Sequence, residues 1–488
     1  MWLCGGRGRG WRLALGAAAC FALSVASVAA DAETLESALV QAYVNNPSLN
    51  SQRALVRATD ENVPQALSGY RPKVTVTGQG GQQSMSTTVK NPSPLSSTNP
   101  IPPNSGPPFP AYYTTNSGYN TPTNFGATIT QTLFNGFQTA NKTRQAESQV
   151  LAARATLRVT EQTVLLNAAT AYMNVLRDGA ILDLQRRNVE VLQEQLRQTR
   201  DRFNVGEVTR TDVAQSESRL AAGRSQVLAA EATYKASVAT YRQVIGVEPV
   251  NLAAGSPVDR FSPGTLNNAV SLATAVHPSI TTAQYNVDAA QQAVKVAEAS
   301  LYPTVSVTGQ YTKNYGQVGV LSTIVQDQAT VLGTISVPIY QGGAEYSLVR
   351  QAKETLGQRR LDLDTARDTV RQSTVQAWGQ LEAAKATVDS AQAQVQAAEI
   401  ALNGVREEAR VGQRTTLDVL NAQQELVNAR VSLVGAQRDR VVASYTLLAS
   451  TGRLAPEVLG LHVPAYQPQV HYQQVRDTWF GLRTPDGR

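Results

Sequence analysis

The residue types that most often carry catalysis or metal binding are scarce in this chain of 488 residues. It contains two cysteines, Cys4 and Cys20, and three histidines. His277, His462 and His471 do not have the spacing of a metal site. The sequence has no Ser-His-Asp set, no phosphate-binding loop and no pair of acids placed for catalysis. It therefore predicts no enzymatic activity, no cofactor and no metal ion.

A motif of glycine, threonine and aspartate nevertheless occurs twice. It reads VGEVTRTDV at residues 205–213, the first turn, and VGQRTTLDV at residues 411–419, the second turn. Glycine suits the positive φ of a tight turn, a threonine hydroxyl can cap the next helix, and the helix dipole favours a carboxylate in the first helical turn. The residues in these roles are Gly206, Thr209 and Asp212 in the first turn and Gly412, Thr415 and Asp418 in the second. A role as connectors between helices explains both copies without any further function.

The N-terminal segment, residues 1–30, has the pattern of a secretory signal peptide. Three arginines precede an apolar run, residues 13–28, which is followed by the small residues Ala29 and Ala30. We expect cleavage after Ala30, with Ala32 as the next candidate. A lipoprotein signal at Cys20 is the alternative.

Removal of this segment changes what the composition implies. It takes away three arginines and both cysteines, so the formal net charge falls from +6 to +3. That charge does not argue for nucleic acid as a partner, and no disulfide is expected. No later stretch reaches 18 apolar residues, so no membrane-spanning helix is predicted.

The rest of the chain is an internal duplication. PKVTVTGQ at residues 72–79 matches PTVSVTGQ at 303–310, and TLFNGF at 132–137 matches PIYQGG at 338–343. The offset is 231 positions for the first match and 206 for the second and for the two turns, so the first copy contains 25 additional residues. The expected divisions are a first structural repeat at 31–256, a second at 257–456 and a C-terminal tail at 457–488.

The additional residues are rich in proline. Nine of the 22 prolines lie between Asn91 and Pro122. Because such a stretch disfavours helices and central strands, we expect an exposed loop between two strands. A proline-rich docking segment is the alternative.

Four segments alternate between apolar and hydroxyl-bearing residues, which predicts strands with one apolar face. They are residues 73–80, 125–134, 304–311 and 331–339. The apolar face would point inward in a soluble sandwich and outward in a membrane barrel, and the pattern does not distinguish the two. Since lipid does not tolerate open strand edges, a membrane barrel requires several chains, and three chains would supply twelve strands.

Two proline-free stretches, residues 137–203 and 343–409, predict helices about 100 Å long. Apolar residues recur every seven positions in both, which is typical of a coiled-coil seam. These residues are Val175, Leu182, Val189, Leu196 and Phe203 in the first helix and Leu381, Val388, Val395, Leu402 and Ala409 in the second. Shorter helices are expected at 47–70, with a kink at Pro64, and at 209–245 and 415–451. Helices of such length favour a tall column over an ordinary helical bundle.

These features resemble the TolC-like outer-membrane efflux proteins. The likeness extends from Thr34 to about Leu459 and is carried by the paired turns, the duplicated order of strands and helices, and the strand-to-helix corners. The corner residues are Gly136, Pro338 and Gly342. The resemblance implies a mixed α/β membrane protein. Long antiparallel coiled-coil helices would form a periplasmic α-barrel, and four strands per chain would join a twelve-stranded trimeric β-barrel.

The resemblance also implies a function and partners. The expected function is an outer-membrane exit channel for efflux of small molecules, type I protein secretion or both. The expected partners are two further copies of the chain, outer-membrane lipid, a periplasmic adaptor (membrane fusion protein) and an inner-membrane RND, ABC or MFS transporter. A periplasmic adaptor and a coiled-coil spacer without a pore are the alternatives.

By the same resemblance, the turns form a periplasmic gate. Thr211 and Asp212 match residues that bond to an arginine matching Arg414, and Asp418 matches a ring of carboxylates that favours cations. Two positions depart from the pattern: Ala409 stands where a tyrosine is usual, and Asn421 stands where a second aspartate is usual. We therefore expect a looser gate and a weaker preference for cations.

Overall fold

The computed structural model describes residues 33–91, 112–318, 322–464, 466–485 and 487, and within them eleven α-helices and six strands. The expected signal peptide lies outside these ranges, as do residues 92–111 of the expected proline-rich loop. The helices are α1 (Leu35–Asn45), α2 (Pro47–Asp60), α3 (Asn62–Leu67), α4 (Gln138–Asn204), α5 (Arg210–Ile245), α6 (Leu266–Val276), α7 (Pro278–Glu298), α8 (Ala344–Arg410), α9 (Thr416–Ser450), α10 (Pro456–Leu459) and α11 (Pro468–Val475). The strands are β1 (Lys73–Gly80), β2 (Gln83–Asn91), β3 (Tyr112–Asn120), β4 (Thr123–Asn135), β5 (Thr304–Val318) and β6 (Ser322–Ser336).

The two long helices, α4 and α8, have 67 residues each, which corresponds to about 100 Å. Each begins one residue later than expected, because Phe137 and Gly343 are N-caps in the left-handed conformation. The α5 and α9 helices return along them and begin after the N-caps Thr209 and Thr415. The chain thus forms two long helical hairpins, α4–α5 and α8–α9.

The seven-residue seam is buried along most of both hairpins. The buried members are Val175, Leu182, Leu196, Leu381, Val388 and Leu402. Phe203, in the last turn of α4, is 42% exposed. The seam therefore holds the hairpins together along most of their length but ends before the first turn.

The helix expected at 47–70 is interrupted close to the predicted kink, at Glu61 and three residues before Pro64. The chain breaks at Glu61 into α2 and α3, and a short 3₁₀ turn, Ser68–Tyr70, follows. Pro64 has no N–H to donate to the carbonyl of Asp60, and its ring clashes with that carbonyl, so the break falls before the proline.

A four-stranded antiparallel sheet in the order β1-β4-β5-β6 lies beyond the other ends of the long helices. The expected strand at 331–339 is wrong in its bounds, because β6 starts at Ser322 and stops at Ser336, opposite the first residue of β5. Its N-terminal extension is polar, and backbone pairing with β5 does not depend on apolar side chains. The tip includes a cross-strand ion pair between Lys313 and Asp327 at 3.6 Å.

The expected loop in the first repeat is also partly wrong. β2 and β3 form a second antiparallel pair in which Gln83 lies opposite Asn120. This pair follows β1 and precedes β4 directly, and Gly81 donates its N–H to the Pro122 carbonyl at 3.2 Å between them. Threonine and tyrosine favour strands in these flanks. The 25 additional residues therefore lengthen a hairpin on both sides of the segment that contains most of the prolines.

Candidate functional site at the two helix turns

The first turn ends α4 with a Schellman motif. Gly206 has φ 77°, and its N–H donates to the Phe203 carbonyl at 3.0 Å. The N–H of Glu207 donates to the Arg202 carbonyl at 2.9 Å. These two bonds satisfy carbonyls that the helix end leaves without partners.

The second turn repeats this geometry at the end of α8. Gly412 has φ 80°, and its N–H donates to the Ala409 carbonyl at 3.2 Å. The N–H of Gln413 donates to the Glu408 carbonyl at 2.9 Å. The left-handed φ explains why glycine occurs at both positions.

A complete capping box starts each returning helix. Asp212 accepts the Thr209 N–H at 2.9 Å and the Thr209 hydroxyl at 2.7 Å, and Thr209 Oγ1 accepts the Asp212 N–H at 3.4 Å. In the second turn the corresponding distances between Thr415 and Asp418 are 3.0, 2.8 and 3.2 Å. Both carboxylates thus satisfy backbone groups at a helix start.

These hydrogen bonds favour the ionised carboxylates. The pKa of Asp212 is lowered, first by the Thr209 hydroxyl and then by the Thr209 backbone N–H. The pKa of Asp418 is lowered, first by the backbone N–H of Thr415 and then by its hydroxyl. Both turns therefore present negative charge at neutral pH.

The two turns differ in the ion pair that crosses each glycine. In the first turn, Arg202 Nε donates to Glu207 Oε2 at 3.0 Å. In the second, Arg414 Nε donates to Glu408 Oε2 at 2.8 Å, with side chains 51% and 45% exposed. The helix-side partner of this ion pair is therefore a cation at the first turn and a carboxylate at the second.

Within one chain, the bond expected between Arg414 and Asp212 or Thr211 is not formed. The Arg414 side chain donates to Glu408 instead, and Asp212 accepts from Thr209. Glu408 was missed by the sequence analysis, although an acid six residues before Arg414 and across the turn glycine was a visible signal. A bond between Arg414 and Asp212 would therefore have to form between copies of the chain and would compete with Glu408.

A second missed contact joins the hairpins close to the turns. Arg219 Nη2 donates to Asn421 Oδ1 at 2.8 Å, although the two residues are 202 positions apart. Just beside it, Leu420 packs against Leu196 and Leu220. Asn421 thus links α5 to α9 at the position where the family resemblance led us to look for a second aspartate.

The strand-to-helix corners use left-handed backbone as well. Gly136 has φ 62°, and a Cβ there would lie 2.7 Å from the Ala299 carbonyl oxygen and from Tyr302 Cβ. Gly342 has φ 72° and stands in open space. Pro338, which has no backbone N–H, follows the end of β6 by two residues.

The sheet has one apolar and one polar face, and strand register defines both. One apolar row consists of Val74, Ile129, Gly309 and Val331, and the adjacent polar row consists of Thr75, Thr128, Gln310 and Thr330. The apolar face is uncovered: Val76 and Val331 are each 81% exposed, and Ile335 is 70% exposed. Among the described strands, β1 and β6 each have a neighbour on one side only.

Among the residues that the structure describes, no helix is sufficiently long and apolar to cross a membrane. No group of three His, Cys, Asp or Glu residues there is placed to hold a metal ion.

Comparison with known proteins identifies relatives over most of the chain. The sequence model described as "Outer membrane efflux protein" matches residues 38–247 and 269–453. The outer membrane efflux protein BepC of Brucella suis biovar 1 (strain 1330) is 43% identical over 466 residues, which cover 94% of this chain and 94% of BepC. Outer membrane protein TolC of Escherichia coli (strain K12) is 26% identical over 450 residues, which cover 88% of this chain and 85% of TolC.

Solved structures show the same architecture. The crystal structure of the Campylobacter jejuni CmeC outer membrane channel matches with a TM-score of 0.71 at 17% identity, covering 91% of this chain and 89% of that chain. At this level of identity the likeness concerns the fold alone.

Proposed function

The chain belongs to the outer membrane efflux protein family, and from this premise we propose that three copies assemble into an exit channel. The protein is located in the outer membrane, and its helical part lies in the periplasm. Its role is that of a channel component, without chemistry of its own. The cargo we propose is small molecules, proteins secreted by a type I system, or both.

The observation that carries the proposal is the uncovered sheet with two open edges. A sheet that exposes Val76, Val331 and Ile335 to water would be poorly soluble, whereas lipid favours these side chains. The open edges of β1 and β6 would not be tolerated in lipid unless they paired with other copies. Four strands from each of three chains close a twelve-stranded barrel without edges.

The charges on the apolar face indicate where that face meets the outer interface. Its uncharged rows run from Val305 near the helices to Tyr311, which is about 20 Å along a strand at ~3.3 Å per residue. The next row on the same face carries the Lys313–Asp327 ion pair, so the lipid-facing band would end there. Tyr315 and Phe125, in edge-to-face contact with ring centroids 6.5 Å apart, would lie at the outer interface.

The long helices then extend the pore across the periplasm. Helices α4 and α8 are each about 100 Å long, so the turns lie far from the sheet. We propose that a periplasmic adaptor and an inner-membrane transporter of the RND, ABC or MFS type meet the channel at this end.

Six turns from three chains would form the periplasmic mouth. We propose that Arg414 of one copy bonds to Thr211 and Asp212 of a neighbour when the mouth is closed, and that Glu408 competes for Arg414. An exposed arginine–carboxylate bond is weak enough to exchange between such partners. Three Asp418 carboxylates would form the cation-attracting ring of the constriction.

Fractionation followed by conductance measurement tests the channel. We expect the protein to be extracted by detergent from outer membranes as a trimer and to conduct ions across a planar bilayer. Recovery with the inner membrane would support the adaptor alternative, and a trimer without conductance would support a spacer. Co-purification with an adaptor and a transporter would identify the transporter type.

A further inference from the structure

The C-terminal tail carries a group of exposed apolar side chains for which the channel proposal gives no role. Trp479, Phe480 and Leu482, here called the tail cluster, are 65%, 91% and 103% exposed. A single exposed apolar residue is ordinary, but three within four positions form a patch of the kind that marks an interaction site.

The tail is fixed to the helical body up to this cluster. On α11, Nδ1 of His471 lies 3.0 Å from Oδ2 of Asp60, a fully buried residue of α2. Val475 is also buried, and the Arg476 guanidinium lies 3.7 Å from the Glu147 carboxylate of α4. The tail cluster is therefore presented from a defined position on the surface of the column.

Arg71 places the tail cluster beside the base of the sheet. Its Nη1 donates to the Thr478 carbonyl at 2.6 Å, and its guanidinium carbon lies 4.8 Å from the centre of a Trp479 ring. Arg71 precedes the start of β1 by two residues, so it lies within about 10 Å of Val74 at ~3.3 Å per residue. Val74 belongs to the apolar row that includes Ile129.

The charges around the tail cluster suit a lipid headgroup region. Arg71 and Lys73 come from the sheet side, and Arg476 and Arg483 flank the cluster, while Asp477 is the acid next to it in the sequence. Tryptophan is enriched where acyl chains meet headgroups, and arginine at this level can reach phosphates from an apolar surface.

We propose that the tail cluster is an interfacial anchor, in which Trp479, Phe480 and Leu482 insert at the headgroup–acyl boundary of the phospholipid leaflet that faces the periplasm. This inference rests on the proposed channel, because the apolar face of the sheet sets the level of the membrane. The anchor extends the lipid contact of the sheet to the helical column and thereby fixes the orientation of the column to the membrane.

Fluorescence of the full chain tests this placement, because the sequence has four tryptophans, of which Trp479 is the last. With Trp2, Trp11 and Trp378 replaced by Phe, Trp479 is the only tryptophan fluorophore. In vesicles of phosphatidylethanolamine and phosphatidylglycerol, we expect phosphatidylcholine brominated near the headgroup to quench its emission at least about twofold, and aqueous iodide to have little effect.

The matched control retains Trp378 and carries W479F. Trp378 lies 34 residues into α8, about 50 Å from the sheet end of that helix, so brominated lipid should leave its emission unchanged. Emission of Trp479 that iodide quenches and brominated lipid does not would overturn the anchor and place the side chain in water. Emission insensitive to both quenchers would place it against a second copy of the chain and would equally overturn the anchor.

Conductance of the same vesicles separates this inference from the channel proposal. A conducting trimer with Trp479 in water contradicts the anchor alone, whereas a protein that does not insert into vesicles contradicts the channel.

Discussion

At the first turn, Arg202 in the last turn of α4 pairs with Glu207 beyond the glycine, whereas at the second turn Glu408 in the last turn of α8 pairs with Arg414 beyond the glycine. The two turns share Schellman bonds and a threonine–aspartate capping box. The need to connect two helices explains the backbone geometry and the caps, because these are the same in both turns. It does not explain why the signs of the charges in the ion pair are reversed between the two turns. The reversal puts a cation at the tip of the second turn, where our gate proposal requires one.

The largest effect is expected from removal of that cation. Arg414→Ala should raise the closed-state conductance of the purified channel by about tenfold, since the proposed bonds at the mouth, one for each copy of the chain, would be lost together. Arg202→Ala, which removes the matched cation of the first turn, should leave conductance unchanged. Planar-bilayer recordings compare the three proteins, and equal conductance in all of them would remove Arg414 from the gate.

The aspartates should differ in a similar way, although their capping bonds are alike. Asp418→Asn removes three carboxylates from the proposed ring and should raise the concentration of multivalent cation needed to block the channel about fivefold. Asp212→Asn should act mainly on conductance, because Asp212 is proposed to bond to Arg414. Equal block of the wild-type protein and Asp418→Asn would locate the cation site elsewhere.

The sequence alone predicts those features of the fold that depend on residues close together in the chain. The glycines and capping residues of both turns, and the long proline-free helices, depend on neighbours within a few positions. The family resemblance based on them is confirmed by a 43% identical relative over 94% of the chain. The gate residues remain a prediction.

Other features depend on contacts that leave no pattern in the sequence. The polar ends of β5 and β6 pair through their backbones, so no apolar alternation marked them. The bond between Arg219 and Asn421 joins residues 202 positions apart and requires both hairpins to be in place. Such contacts follow from packing and cannot be read from spacing alone.

Substitution of Glu408 should change the closed-state conductance less than Arg414→Ala does, and in the opposite direction. Glu408→Gln weakens the hold on Arg414 within one chain and leaves Arg414 more available to a neighbouring copy. We expect closed-state conductance to fall about twofold, since a single type of exposed ion pair is altered. The matched variant at the first turn, Glu207→Gln, should have no effect. An increase in conductance with Glu408→Gln would mean that Glu408 supports the closed mouth and does not compete with it.

The smallest change is expected from pH, and here the two turns should behave alike. Their threonines lower the pKa of Asp212 and of Asp418 in the folded protein. Between the ordinary aspartate value of ~3.9 and the lowered values, the unfolded chain binds more protons than the folded one. The stabilisation from both caps is therefore complete above about pH 4 and is lost only as the pH falls through the lowered pKa values.

Block by multivalent cations should accordingly stay constant from pH 8 to about pH 5 and decline below about pH 4. A decline centred near pH 6 in bilayer recordings would show that a group other than Asp418 attracts the cations.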